Sequence, residues 1–293
     1  AGRLANEEGV GEQGWTFHPY DWWNGNGGIA ALLTGGVGSD VALEGAVDIS
    51  SAISRLRSIL QPVEQERFRA LGRICGDAMQ ASILRVRPGM TEYEIASILA
   101  QETQQRGAQP IVNLIATDER IFTYRHPLPT YKRLDKYAML VLCGRQHGLV
   151  ASVTRLIHFG PLAEELRTKA NAVALIDATF LTQTQPGVAL GDVFAAATDM
   201  YAQTGFADEW KLHHQGGPAG YEAREVIAAP GMGYTVAAGQ PYAWNPSITG
   251  CKSEDTALIG DGGFEVVTTT PQLPVLTVEI GGMQVTRPDI LVA

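Results

Sequence analysis

The segment WKLHHQGGPAGYEARE, Trp210 to Glu225, sets two adjacent histidines before a glycine run and follows them with Glu222, Arg224 and Glu225. Residues of these types bind metals, line substrate pockets or shape tight turns, and spacing alone leaves all three open. A chelate from the histidine pair is disfavoured: neighbouring side chains on a strand point to opposite faces, so at most one of His213 and His214 would face a cleft. His213 is expected to line a pocket or hold the turn. Gly216, Gly217 and Gly220 permit close backbone approach or positive φ, which suits a cleft floor and an ordinary bend alike. Arg224 adds a fixed cation whose planar fork grips carboxylates and suggests an anionic substrate group, with Glu222 or Glu225 as its partner. In KSEDT, alternation puts Lys252 and Glu254 on one face and Asp255 on the other. Facing a cleft, Glu254 would accept hydrogen bonds from a cationic or amide group and Lys252 would hold a carboxylate; facing water, they form an ion pair worth less than about 1 kcal/mol. Cys143 reads as a buried small residue, since no histidine or cation stands near it in the sequence to lower its pKa.

The elements that position these residues must come from a chain of 293 residues, 45% hydrophobic, long enough for one large or two ordinary domains. The expected protein is soluble and cytoplasmic. A net charge of −9 without a basic face disfavours nucleic acid. Cys75, Cys143 and Cys251 are odd in number and lack C-x-x-C spacing, which argues against disulfides and a cysteine zinc knuckle. No apolar run reaches the roughly 18 residues of a membrane span, and the start lacks the order of a signal peptide. The chain opens on Ala rather than Met, as a processed or trimmed piece does.

Residues 1–54 are rich in glycine and aromatics, show little periodicity and could not make a core alone. From Ile53 the pattern turns helical, with Phe68, Leu71, Ile74, Cys75, Ala78, Ile83 and Leu84 near one stripe before Pro88-Gly89 breaks it. A second helix opens at Thr91 with Glu94 three residues on, a capping box, and closes at Gly107. The same helix, Pro-Gly, helix, Gly phrase returns 98 residues later at Pro186-Gly187. Each copy leads into short β-rich segments, so the expected fold is α+β, with duplicated helix-pair-plus-strand halves around a curved antiparallel sheet and a cleft between them. The tail reads as a hairpin around Gly281-Gly282.

This duplicated unit, with RHPLPT (125–130), SVTRLIHFG (152–160), the histidine-glycine segment and WNPSITGCKSEDT (244–256), resembles the pita-bread family of aminopeptidase P, prolidase, creatinase and methionine aminopeptidase over residues 55–270. The opening RLANEE and the aromatic run after it resemble the last part of the N-terminal domain of aminopeptidase P, prolidase and creatinase. The resemblance therefore implies a remnant or linker over 1–54 and a pita-bread catalytic-like domain over 55–293. Metalloenzymes of that family hold two divalent ions with two Asp, one His and two Glu, because paired hard cations need bridging carboxylates. On the family pattern the two Asp positions fall at Leu142 and Ser152, the ligand histidine at Gly217, a later substrate-side histidine at Arg224 and one ligand Glu at Asn245. Glu254 matches the last ligand. One ligand in five cannot hold two metals, so no metal or other cofactor is expected.

Creatinase, in the same family, hydrolyses a C–N bond without metal by using a histidine to activate water. His126 stands at the position that resembles this histidine and, as a near-neutral base, would take a proton from water if a carboxylate or backbone group orients its other nitrogen. The resemblance thus implies a metal-independent hydrolase of a small or dipeptide-like, carboxylate-bearing substrate. His126 and Glu254 are then catalytic, and His213, Arg224, Glu222, Asn245 and Lys252 bind substrate. Arg155, in the family's TR pair, is expected to be structural. Two alternatives stand beside this reading: a non-catalytic ligand-binding or assembly protein, and a proline-specific metallopeptidase with an unusual site drawn from His126, His158, His213, His214, Glu222 and Glu254. A homodimer paired through Trp15 to Trp23 is expected, with no nucleic acid or membrane partner.

Overall fold

A computed structural model describes residues 5–7, 9–24, 27–30 and 32–293, the side chains of residues 22 and 30 excepted. Arg3, Leu4 and Glu8 of the RLANEE motif lie outside the described residues, as do Gly25 and Asn26 beyond the aromatic run. Contacts divide the chain into Ala1–Ile53 and Ser54–Ala293. In the first unit, turns of 3-10 helix at Val10–Gln13 and Trp22–Asn24 accompany a two-residue parallel pairing of Gly38–Ser39 with Val47–Asp48. None of its described apolar side chains is buried, and Trp15, Phe17, Tyr20 and Trp23 are exposed.

The second unit opens with α1 (Pro62–Ile83) and α2 (Glu92–Gln105). Phe68, Leu71, Cys75, Ala78 and Met79 form the buried stripe of α1. Thr91 and Glu94 make the expected reciprocal cap at the start of α2. Three antiparallel strands follow, β1 (Gln109–Thr117), β2 (Tyr137–Gln146) and β3 (Leu149–His158). The second half repeats the phrase with α4 (Leu190–Gln203) after α3 (Glu164–Gln183), and α2 and α4 are both 14 residues long. It continues through β4 (Gly216–Pro218), β5 (Pro241–Trp244), a small hairpin of β6 (Ser247–Ile248) and β7 (Cys251–Lys252), then β8 (Asp255–Gly260) and β9 (Gly263–Val266). The tail forms the expected hairpin, β10 (Val275–Ile280) on β11 (Met283–Pro288), and ends in β12 (Leu291–Val292) beside β3.

The repeat extends to single hydrogen bonds. Gly89 N–H donates to Leu134 and Leu134 N–H to Met90; Gly187 N–H donates to Val236 and Val236 N–H to Val188. Gly89 and Gly187 share a φ near 90° (87° and 90°), where glycine carries no Cβ penalty.

Two four-stranded sheets result, β12-β3-β2-β1 and β9-β8-β5-β4. They are joined where Thr154 of β3 bridges Glu254, with Ser152 N–H donating to Thr256 Oγ1 alongside. Glu254 lies between β7 and β8, so the bridge to Thr154 is made where the strand run breaks at Ser253. The faces of β2 divide cleanly. Leu140 and Leu142 pack in the apolar cluster with α1 and α2, while Met139 and Val141 join the cluster with α3 and α4.

Candidate active site

At the seam Glu254 is almost wholly buried and both its oxygens are engaged. Oε1 meets Arg224 Nη2 at 3.0 Å; Oε2 meets Lys252 Nζ at 2.9 Å and accepts from Thr154 Oγ1 at 2.5 Å. Burial alone would raise this carboxyl, but the two cations outweigh it and hold the group at about 2, so it stays ionised. Lys252 and Glu254 therefore share a face, as alternation implied. Asp255 turns the other way and pairs with Arg155 and Arg287.

Arg224 reaches further, with Nη1 at 3.2 Å from Ser152 Oγ, and Ser152 Oγ stands 3.2 Å from Cys143 Sγ. Leu142, the residue matched to the first family aspartate, is thus not at this place. It packs on the far face of β2, and the register sets Cys143 opposite Ser152. Burial pushes the Cys143 thiol up, so it remains protonated despite the nearby Arg224 and Lys252, which sequence neighbourhood did not reveal. Glu222 and Glu225 are not partners of Arg224. Glu222 is exposed near Arg57, and Glu225 is held by Arg57 and Ser54, because the turn after Gly220 points these side chains away from the seam.

The histidines depart from expectation in a second way. His213 and His214 lie between a turn of 3-10 helix, Glu209–Leu212, and β4, so strand alternation does not apply to them. Both rings approach His126, at 5.7 Å edge-on for His213 and 5.6 Å nearly parallel for His214. Burial first, and the neighbouring cations second, lower His213 to about 3 and His214 to about 4, and the same causes lower His126. All three are neutral near pH 7. His126 is exposed on its open side, and no described carboxylate or backbone group hydrogen-bonds its ring; stacking alone orients it.

The glycine run has a steric reason. A Cβ on Gly216 would lie 2.2 Å from the Ala243 carbonyl oxygen, and one on Gly217 would lie 2.3 Å from that of Val226. The backbone of 226–228 fills the place where the family histidine would project, and Ala228 N–H donates to Gly216. Asn245 is buried beside Gln215, whose carbonyl accepts its N–H, and its Oδ1 has no partner. His158, at the end of β3, meets the Gly160 carbonyl at 3.0 Å and packs by Tyr137.

Sequence reasoning missed Ser247, Thr154 and the contacts of Arg125. Ser247 Oγ is 2.6 Å from His213 Nε2 and accepts from Arg125 Nη1 at 3.0 Å, while Arg125 is itself anchored on Glu209 and Thr249. The only signal was the polar run NPSITG beside a buried tryptophan.

Do these residues fit the metal pair that the family resemblance implies? A thiol kept protonated, a serine, a glycine, an asparagine and a carboxylate already bound by two cations are a poor donor set for two divalent ions. Arg224 and Lys252 would also repel a dication. Among the described residues no group of three His, Cys, Asp or Glu side chains stands in ligating array.

Two duplicated halves closing on a polar seam define a pita-bread domain. The pattern of metallopeptidase family M24 matches residues 66–261, and the chain belongs to that family. An uncharacterized peptidase of Staphylococcus haemolyticus is 24% identical over 236 residues, which cover 75% of this chain and 65% of that protein, so the chain spans just under two thirds of that relative's length. Among solved structures, prolidase from Pyrococcus furiosus matches with TM-score 0.71 at 22% identity, covering 77% of this chain and 69% of that one. X-Pro aminopeptidase from Thermotoga maritima matches with TM-score 0.72 at 18% identity, covering 85% and 68%. At such identities these structures establish the fold, and no described helix is long and apolar enough to cross a membrane.

Proposed function

We propose that this chain is a metal-independent hydrolase of the family, cleaving a C–N bond in a small substrate that bears a carboxylate, with His126 as general base. The observation that carries the reading is the pairing of a neutral, solvent-facing histidine with two fixed side-chain cations on Glu254, at the seam where the family's metals belong. His126 takes a proton from water, the resulting oxygen attacks the carbon of the C–N bond, and the protonated imidazole returns the proton to the departing nitrogen. Arg224 and Lys252 supply positive charge without a proton to lose at neutral pH. Glu254 acts by holding those cations, since neither of its oxygens is free for substrate.

A screen of amide, amidine and Xaa-Pro substrates tests the reading. The expected hydrolysis falls by roughly 10²–10⁴-fold in His126→Ala with little change in melting temperature, and its acid limb lies below the usual histidine range because His126 is lowered. Full activity in that variant would remove the mechanism. A second reading, a ligand-binding protein without catalysis, draws support from the fully engaged Glu254 and from the lack, among the described residues, of a hydrogen bond orienting His126. Saturable binding with no turnover across the screen would favour it. The exposed aromatics from Trp15 to Trp23 support pairing of two chains, which light scattering at micromolar concentration checks.

A further inference from the structure

Among the described residues, the seam contains donors that nothing accepts. Arg224 Nε is buried without a partner, and its side chain is only 9% exposed. Lys252, 5% exposed, has one acceptor for three N–H groups. His213 Nδ1 is also buried and unpartnered.

The state of that last nitrogen follows from its neighbours. Arg125 has no acceptor and must donate to Ser247 Oγ. Ser247 Oγ–H then has one acceptor within reach among the described residues, His213 Nε2. A proton on Nε2 would leave the serine hydroxyl hydrogen stranded, so His213 carries its proton on Nδ1 and presents an N–H there.

Lys252 links these donors. Ser247 and Lys252 are cross-strand partners in the β6-β7 hairpin, so their side chains share a face, and His213 sits on Ser247. Arg224 and Lys252 grip the two oxygens of the same carboxylate. After burial, the charge of Lys252 is the largest influence on His213. Two positive charges share one negative charge, so the buried triad is one anion short.

The geometry points to an anion-binding site built from Arg224 Nε, Lys252 Nζ and His213 Nδ1, in which two side-chain cations replace the metal pair of the fold and receive one small carboxylate. Arg125 and Ser247 are positioning residues, acting through the tautomer of His213. The substrate carboxylate of the reading above is the natural occupant, and to that extent this inference rests on it; the site itself is defined without turnover.

Formate is the probe, with chloride at equal ionic strength as reference. Titration of the ¹⁵N-labelled protein is expected to give saturable shifts at the His213 ring and Lys252 Nζ, and long-range ¹H–¹⁵N spectra to show the proton of His213 on Nδ1. Arg224→Gln should weaken formate binding roughly tenfold or more by removing a charge-assisted donor. Ser247→Ala, which leaves every charge in place, should weaken it by a smaller factor and move the His213 proton toward Nε2. Lys211→Ala, on the exposed surface, serves as control. Formate effects no larger than those of chloride, or a wild-type His213 protonated on Nε2, would overturn the proposal, and the wild-type titration decides even where a variant fails to fold. None of these readouts involves hydrolysis, so their failure leaves the hydrolase reading standing, and a screen without a hydrolysed substrate leaves this site standing.

Discussion

Glu254 and Asp255 are consecutive, both buried and both bound by two cations, yet they anchor clusters of opposite character. Asp255 accepts from Arg155 Nη2 at 2.9 Å, Arg287 Nη2 at 2.8 Å and Thr268 Oγ1 at 2.7 Å. Arg287 goes on to Asp177, which Ser253 also holds. Two arginines face two aspartates and no buried atom of theirs lacks a partner among the described residues. On the Glu254 side two cations share one carboxylate, and Arg224 Nε, His213 Nδ1 and His214 Nδ1 are left unpaired. A balanced network ties elements together: β3, α3, β8 and β11 meet at the first. An unbalanced one keeps polar groups ready for something that arrives. On the proposal above, the difference separates a staple of the fold from a site.

Removing a charge should therefore cost more on the balanced side. Arg287→Met strips Asp177 and Asp255 of a shared partner inside the protein, and a destabilisation of about 3–5 kcal/mol is expected from denaturant midpoints. A loss below about 1 kcal/mol would show that water or rearrangement reaches the aspartates and would blur the contrast.

Acid should act on the other side. His213 at about 3 and His214 at about 4 are neutral when folded, whereas unfolded histidines protonate near their ordinary value. Between those limits the unfolded chain binds more protons, so stability falls as pH drops from about 6.5 toward 4. For His213 alone the loss by pH 4 is on the order of 3 kcal/mol, and it should shrink in His213→Gln. Carboxylates held below their ordinary range lose stability at lower pH still, with Glu254 titrating near 2. Urea titrations at pH 7, 5.5 and 4 check the window; a flat profile would mean the rings are wetter than the fold suggests.

The sequence carried the frame of this comparison and missed its content. Helix pairs, the Pro-Gly breaks, the Thr91 cap and the terminal hairpin were legible because each depends on residues within a few positions of one another. The shared face of Lys252 and Glu254 was legible for the same reason. The site was not, because it is made by register and by turns. Pairing Cys143 with Ser152 rather than placing Leu142 there is fixed by the tight turn at His147-Gly148. His213 and His214 both reach His126 because the strand starts only at Gly216. Glu222, next to a conspicuous arginine in the sequence, turns to Arg57, and the true partner of Arg224 lies 30 residues away. No local pattern announces Arg287 as the mate of Asp177.

A gentler change sharpens the contrast further. Arg224→Gln leaves Glu254 still bound by Lys252 and Thr154 and removes an unpaired buried N–H, so about 1 kcal/mol or less of stability should be lost. A loss matching that of Arg287→Met would make the Glu254 cluster a structural staple as well.

The smallest expected effect belongs to metal. If Arg224 and Lys252 are the resident cations of the seam, then adding chelator, or dialysing against zinc, manganese or cobalt, should leave melting temperature and any hydrolysis unchanged. A ligand stabilises in proportion to the logarithm of its concentration over its dissociation constant, so even a weak specific ion would raise the melting temperature at millimolar levels. The donors oppose this: Ser152 and Asn245 are neutral, Gly217 has no side chain, the Cys143 thiol is held protonated by burial, and an incoming dication must displace an ammonium and a guanidinium from Glu254. The three neutral histidines are the nitrogen donors nearby among the described residues, and His213 already spends Nε2 on Ser247. Elemental analysis after dialysis, compared between wild type and His214→Ala, separates the cases. One ion per chain lost on removing His214 would place a metal at the histidines, and one or two ions retained in both would mean that carboxylates from elsewhere reach the seam and that the cations of Arg224 and Lys252 are not its charge.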